Sequence, residues 1–166
     1  FSQELTIYNS LKNTKSFPKV HWSGEYKEYK VMILDLLGPS LDKFLKISPQ
    51  KKFNLETTLN LGEQMVQRIQ LFHESGFIHQ DIKPNNFLLG KFSKNFFDNF
   101  LYLVDFGLSK SYLDPITNRH LSYQDNKRFV GTPRYASINA HLGRKLSRRD
   151  DLESIGYLLF YFLKGE

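Results

Sequence analysis

The sequence predicts an α+β fold, on two observations. Apolar runs of strand length come in pairs, first "KVHWSGEY" with "YKVMILDLL", then "FIHQDIKPNNFLLG" with "LYLVDFGLSK". Two longer stretches, 55–75 and 148–164, instead repeat apolar residues at helical spacing. At 166 residues, 40% of them hydrophobic and 15% aromatic, the chain is expected to fill one core and to be ordered.

The opening "FSQELTIYNSL" places Leu5, Tyr8 and Leu11 at helical spacing and reads as a short amphipathic helix that ends near "KNTKSFP". Gly24 and charged residues separate the first pair of runs, which reads as a hairpin. Gly38, Pro39 and Ser40 stop its second run, and Ser40 is suited to cap a helix through "LDKFLK". From Leu55 to Ser75, Leu59, Met65, Ile69 and Phe72 are expected on one helical face, with Gly76 as the stop. The second pair, interrupted by "KFSKNFFDN", is simplest as a hairpin whose loops carry acids. Residues 109–135 hold Pro115, Gly131 and Pro133 with no sustained period, and long loops of this kind are often functional. The stretch 148–164 is apolar on most sides and reads as a central helix. No internal repeat or low-complexity linker interrupts the chain.

Composition removes several classes of function. Without cysteine there is no disulfide framework and no thiolate metal site. The most apolar run, Leu152 to Leu163, carries Glu153 and falls short of the ~20 residues that span a bilayer. Nothing at the start resembles a signal peptide, and a chain that opens on Phe1 is expected to be cut from something longer. The formal charge of +6 suits an acidic partner, whether nucleic acid, a phosphopeptide or a membrane surface. Charge alone does not choose among them.

Chemistry concentrates in "HQDIKPNN", residues 79–86. Moving a phosphoryl group from a nucleotide requires a divalent metal, an acceptor for the nucleophile's proton and a cation over the transferred group. Magnesium takes oxygen ligands, which a carboxylate and a carboxamide supply. Asp81 and Asn86 are five positions apart, and Pro84 is expected to prevent helix between them, so both could point from one loop into one cleft. Lys83 could reach the same space. Asp105 follows the strand-like "LYLV", where Gly107 would let the backbone turn sharply. His79, at a strand–loop junction, reads as a packing and hydrogen-bonding residue. Singly these signals are weak; H-x-D-x-K-x-x-N followed about twenty residues later by D-F-G is the signature set of protein kinases.

The motifs "LLGPSLDKFL", "GFIHQDIKPNNFLLG", "LVDFGLSK", "GTPRYASINAHLG" and "SRRDDLESIGYLLFYF" resemble the casein kinase I family of serine/threonine protein kinases. The most specific marker is Ser137-Ile138-Asn139, where most protein kinases have Ala-Pro-Glu. The resemblance implies a protein-kinase-like fold that is truncated at both ends, with 1–34 a small-lobe remnant, 35–38 the hinge and 39–166 part of the large lobe. It implies ATP and Mg2+ as cofactors, with Asp81 as base, Lys83 steadying the phosphoryl group, and Asn86 and Asp105 holding metal. Glu4 matches the glutamate that pairs with the phosphate-binding lysine, Leu34 the gatekeeper, and Asp35 and Leu37 the hinge residues whose backbone bonds adenine. Asp151 matches an aspartate that braces the catalytic loop. Lys110, Lys127 and Arg134 match positions that bind anions, which fits protein substrates with acidic or phosphorylated motifs in cytoplasm or nucleus. No nucleic-acid or membrane partner is expected.

Two departures stand out. Gln80 replaces the family's arginine, which is expected to weaken an anion site shared with Lys110 and Lys127 without touching the base or the metal ligands. No Gly-rich loop or strand lysine precedes Glu4 in these 166 residues. Two rivals remain at this stage: an inactive pseudokinase scaffold, and a basic nucleic-acid-binding module. The module is disfavoured because Tyr102, Tyr112, Tyr123 and Tyr135 form no interleaved recognition pattern. Without the loop and lysine, the isolated chain is expected to transfer phosphate weakly or not at all, which an assay with casein and labelled ATP checks.

Overall fold

The computed structural model describes residues 1–93, 96–97 and 100–165. Its elements, in chain order, are α1 (Ser2–Ser10), β1 (Val20–Tyr26), β2 (Tyr29–Leu34), α2 (Leu41–Ile47), α3 (Leu55–Glu74), β3 (Phe77–Ile78), β4 (Phe87–Leu89), β5 (Phe92–Ser93), β6 (Phe96–Phe97), β7 (Leu101–Leu103), β8 (Lys110–Ser111), α4 (Ile138–His141) and α5 (Arg148–Lys164). Short strand pairs and long helices together make an α+β fold. Part of the insertion "KFSKNFFDN" lies outside the described residues.

Helix α1 buries Ile7 and Tyr8, with Leu11 just beyond it, while Leu5 is only half-buried. Strands β1 and β2 form the expected hairpin, with Tyr26 opposite Tyr29 and Val20 opposite Leu34. The second strand stops at Leu34 because the Asp35 carboxylate accepts from the Lys19 N–H (2.8 Å) and from His21 Nε2 (2.7 Å), which fastens the chain to the start of β1. Ser40 caps α2 through the Lys43 N–H (3.4 Å). Asn54 caps α3 in the same way through the Thr57 N–H (2.8 Å).

Along α3 the buried apolar residues are Leu61, Met65, Ile69 and Phe72. They follow one another at three- or four-residue steps, the spacing of one helical face. Leu59 is six residues before Met65 and turns away, 61% exposed, so its expected place in the core is corrected. The same face of α3 packs against α5, whose Ile155, Leu158 and Phe162 are buried. Helix α5 begins with a capping box, in which the Ser147 N–H donates to Asp150 Oδ2 (2.7 Å). It is not enclosed on most sides as the sequence suggested, since Leu152 and Phe160 are exposed. Among the described residues no helix is long and apolar enough to cross a membrane.

The second pair of runs is one antiparallel hairpin with two interruptions. Phe77 and Ile78 pair with Ser111 and Lys110, and Phe87–Leu89 pair with Leu103–Leu101. Between these ladders the two arms open into the loops that carry Asp81 and Asp105, an arrangement that brings both acids to one end of the core. Phe72 lies beneath it, fully buried, with Phe106 stacked at 4.9 Å, Phe17 at 6.0 Å and His79 at 5.8 Å. Phe72→Ala is therefore expected to cost about 3–5 kcal/mol in a urea unfolding measurement, through lost burial and the cavity left behind. Leu59→Ala should stay within about 0.5 kcal/mol.

Candidate active site

The loop that leaves β3 is held from below by one carboxylate. Asp151, on the first turn of α5 and buried, accepts from the His79 N–H (2.8 Å) and the Gln80 N–H (2.9 Å), and pairs with His73 Nε2 (2.8 Å). Gln80 needs this support because its φ of 68° is left-handed, an arrangement that costs a non-glycine residue of order 1 kcal/mol. Gly131 lies over the same residue with φ 99°, and a Cβ there would sit 2.5 Å from the Gln80 carbonyl oxygen. Only glycine lets the long loop approach so closely.

His79 is enclosed completely. Its Nε2 bonds to the Val104 carbonyl (3.1 Å), so Nδ1 is the acceptor for the Asp81 N–H (3.2 Å), a pattern that requires the neutral ring. Burial also holds its pKa below the ordinary value, against the opposing pull of Asp151 and nearby acids. The ring is thus a spacer between the arms of the hairpin.

Above this support stand the acid, the cation and the carboxamide. Asp81 Oδ2 pairs with Lys83 Nζ at 2.5 Å, and Asp81 Oδ1 accepts from the Thr132 hydroxyl at 2.7 Å. Asn86 donates from Nδ2 to the Asp81 carbonyl (2.9 Å), which closes the loop on itself and leaves Oδ1 as the acceptor end of the amide. Pro84 does not prevent helix as expected: it opens a single 3-10 turn over Pro84–Asn86, where its missing N–H costs nothing. The Val104 N–H donates to the Asn86 carbonyl (3.0 Å), which places Asp105 beside Asn86. Asp105, not Gly107, takes the left-handed conformation (φ 66°), and its exposed carboxylate accepts from the Gly107 N–H (3.4 Å).

Helix α1 reaches the same place. The Tyr8 hydroxyl accepts from the Asp105 N–H (3.2 Å), and its ring lies 4.5 Å from Phe106. Burial, followed by the charge of Asp105, raises the Glu4 pKa against the weaker opposing pull of the Phe106 N–H. Glu4 is therefore close to the candidate metal ligand. Leu34 closes the core side of β2, and the hinge residues run from Asp35 to a stitch on β4, where the Gly38 N–H donates to Leu89 O (2.9 Å). The Asp35 N–H is taken by Lys19 O (3.1 Å), while its carbonyl and the Leu37 backbone have no protein partner among the described residues.

Lys110 and Lys127 line one hollow together with Gln80, whose buried Oε1 has no partner among the described residues. Arg134 is not part of it; its guanidinium lies 5.1 Å over the Tyr161 ring. The stretch Ser137-Ile138-Asn139 docks on α5: the Ser137 hydroxyl (2.8 Å) and Asn139 Nδ2 (3.0 Å) both donate to Asp150 Oδ1, and the Ile138 N–H donates to Glu153 (2.9 Å). Sequence reading passed over Thr132 and Tyr8. Both carried a signal, since Thr132 follows Gly131 in a quoted motif and Tyr8 lies four residues after Glu4 on the same helical face.

The donor set fits magnesium. Asn86 Oδ1 and the Asp105 carboxylate would offer two oxygen donors, and among the described residues no cluster of three or more His, Cys, Asp or Glu forms a metal cage. Magnesium characteristically takes one or two protein oxygens and completes its shell with phosphate and water.

A family model described as "Protein kinase domain" matches residues 1–166. The buried neutral ring of His79 gives a pH signature that can be checked without any substrate. Below the unfolded-state pKa of 6.5, the unfolded chain takes up a proton that the folded chain refuses, so stability falls as the pH drops through that value. The slope from this residue approaches about 1.4 kcal/mol per pH unit. Urea unfolding between about pH 7.5 and 5.5 should show it, and His79→Gln should flatten the profile whatever its absolute cost.

Proposed function

The chain belongs to the protein kinase domain family, and from that premise we propose that it is a serine/threonine kinase of casein kinase I type, acting on acidic or phosphorylated protein substrates. The observation that carries this reading is the convergence of Asp81, Lys83, Asn86 and Asp105 on two loops of one interrupted hairpin. Two further features favour the finer assignment. Ser137 and Asn139 both spend their polar groups on Asp150, which gives the Ser-Ile-Asn marker a physical role in docking the long loop. Lys110 and Lys127 share one hollow beside the loop, as an anion-reading pocket requires, with the uncharged Gln80 weakening it.

Bound ATP would supply the phosphoryl group, and magnesium would neutralise its charge and that of the leaving diphosphate. Asn86 Oδ1 and Asp105 are the residues that would hold the metal, and the free backbone groups of Asp35 and Leu37 would hold adenine. Asp81 orients the substrate hydroxyl and takes its proton at a carboxylate oxygen, each oxygen keeping a second lone pair beyond its bond to Lys83 or Thr132. Lys83 is fixed by that carboxylate within reach of the transferred group, where its charge offsets the charge developing on the oxygens. Tyr8 holds the Asp105 backbone through one hydrogen bond, and Glu4, on the same helix, stands near the Asp105 carboxylate. Tyr8 thereby acts as a positioning residue.

Phosphate transfer should be measured in the natural polypeptide that contains these residues, against serine and threonine peptides with and without an upstream phosphate or acidic run. The expected result is transfer to Ser and Thr with a preference for the acidic series. Asp81→Asn and Asp105→Asn should each lower kcat by about 10²-fold or more, with the fold intact by circular dichroism. Transfer that survives Asp105→Asn, or that goes to tyrosine, would overturn the assignment. No transfer under any condition would favour the inactive scaffold.

A further inference from the structure

Positive charge is unevenly spread along the chain. Residues 110–149 contain nine Lys and Arg against two Asp, more than the net charge of the whole sequence. Two hollows open in this region. The first, of about 240 Å³, is the one that Gln80, Lys110 and Lys127 share. The second, of about 330 Å³, lies across Lys145 and Leu146, which line both, and is walled by His120, Tyr123, Ser147 and Arg149.

The second hollow differs from a solvated basic surface in two respects. Among the described residues no carboxylate lines it. The nearby Asp125 is already engaged, accepting from the Tyr123 hydroxyl (2.5 Å) and lying 3.9 Å from the Arg144 guanidinium. That hydroxyl is held above its ordinary range chiefly by the bond to Asp125, against the opposing charges of Arg144 and Arg149. The two segments that carry the hollow are also tied together next to it. The Lys127 N–H donates to Gly143 O (2.7 Å) and the Lys145 N–H to Gln124 O (2.8 Å), which fastens the long loop to the turn before α5. Gly143 has φ 65°, and a Cβ there would lie 2.9 Å from Lys127 O, so the two segments close only around glycine.

We propose that this second hollow is an anion site for a phosphate group on a protein substrate, separate from the anion taken at Lys110 and Lys127. Arg149 offers a planar guanidinium fork for phosphate oxygens, Lys145 a second cation, and Tyr123 an aromatic wall. Because Lys145 and Leu146 divide two adjacent basic hollows, the ligand class is a peptide segment with two phosphates rather than one. The protein nature of this ligand rests on the kinase reading above, but binding is independent of phosphate transfer, so the two ideas can fail separately.

The test is fluorescence anisotropy of labelled peptides of one sequence, carrying no, one or two phosphoserines, with the second walked along the peptide and no nucleotide present. A correctly spaced second phosphate should tighten binding to the native chain about tenfold. Arg149→Gln should remove that second gain and keep the first, whereas Lys110→Gln should do the reverse. Arg149 is exposed in the first turn of α5, where losing a cation does not weaken the helix, so the variant should remain folded. The proposal fails if Arg149→Gln leaves the second gain intact, or if it weakens the unphosphorylated peptide by the same factor. It also fails if a single-stranded oligonucleotide binds more tightly than the doubly phosphorylated peptide, with a steep salt slope.

Discussion

The Asp151 carboxylate joins three parts of the chain that are far apart in sequence. It holds the end of α3 through His73, the start of the active loop through the His79 and Gln80 N–H groups, and α5 through its own position. A buried carboxylate is expensive unless each lone pair finds a donor. Here three donors converge on it, and the same bonds hold Gln80 in a left-handed conformation that it would not take unaided. Asp81 follows immediately, so the direction in which the acid points is set by a residue seventy positions later in the sequence.

A second layer of constraint comes from aromatic packing. Phe106 lies against Phe72, Phe17, His79 and Tyr8, and the N–H of the preceding Asp105 bonds to α1 through the Tyr8 hydroxyl. Asp105 therefore stands exposed on a residue pair whose other member is fully buried. The buried ring fixes the exposed carboxylate, and the neutral His79 ring keeps the two arms of the hairpin at a constant separation. Core and site are in this sense one construction: the residues that fill the interior are immediate neighbours of those proposed to do chemistry.

Much of this was legible in the sequence wherever the determining interaction is local. Periodicity located α3 and α5, turn residues located the hairpins, and the spacing within "HQDIKPNN" brought Asp81, Lys83 and Asn86 onto one loop. Leu59 was misplaced because a six-residue step from Met65 falls short of two helical turns and lands about 120° round the helix, off the core face. Gly107 drew attention as the flexible residue, although Asp105 itself takes the unusual backbone conformation. What could not be read was long-range polar pairing. The partners of His73, Tyr8 and Thr132 lie 78, 97 and 51 residues away, and no local pattern encodes them. Arg68 shows the same limit, since a buried guanidinium on the core face of α3 has its explanation in the Leu101 carbonyl.

Asp150 differs from its neighbour in the company it keeps. Its buried carboxylate is satisfied by the Ser137 hydroxyl, the Asn139 amide and the Ser147 N–H, all of them neutral donors. Counter-ions in solution screen charges that face water and leave enclosed hydrogen bonds nearly untouched. The attachment of the long loop to α5 is thus indifferent to ionic strength, while the exposed cations that the loop presents are not. Salt becomes a means of separating recognition from architecture: acidic partners of the kind proposed above would dissociate from a loop that keeps its shape.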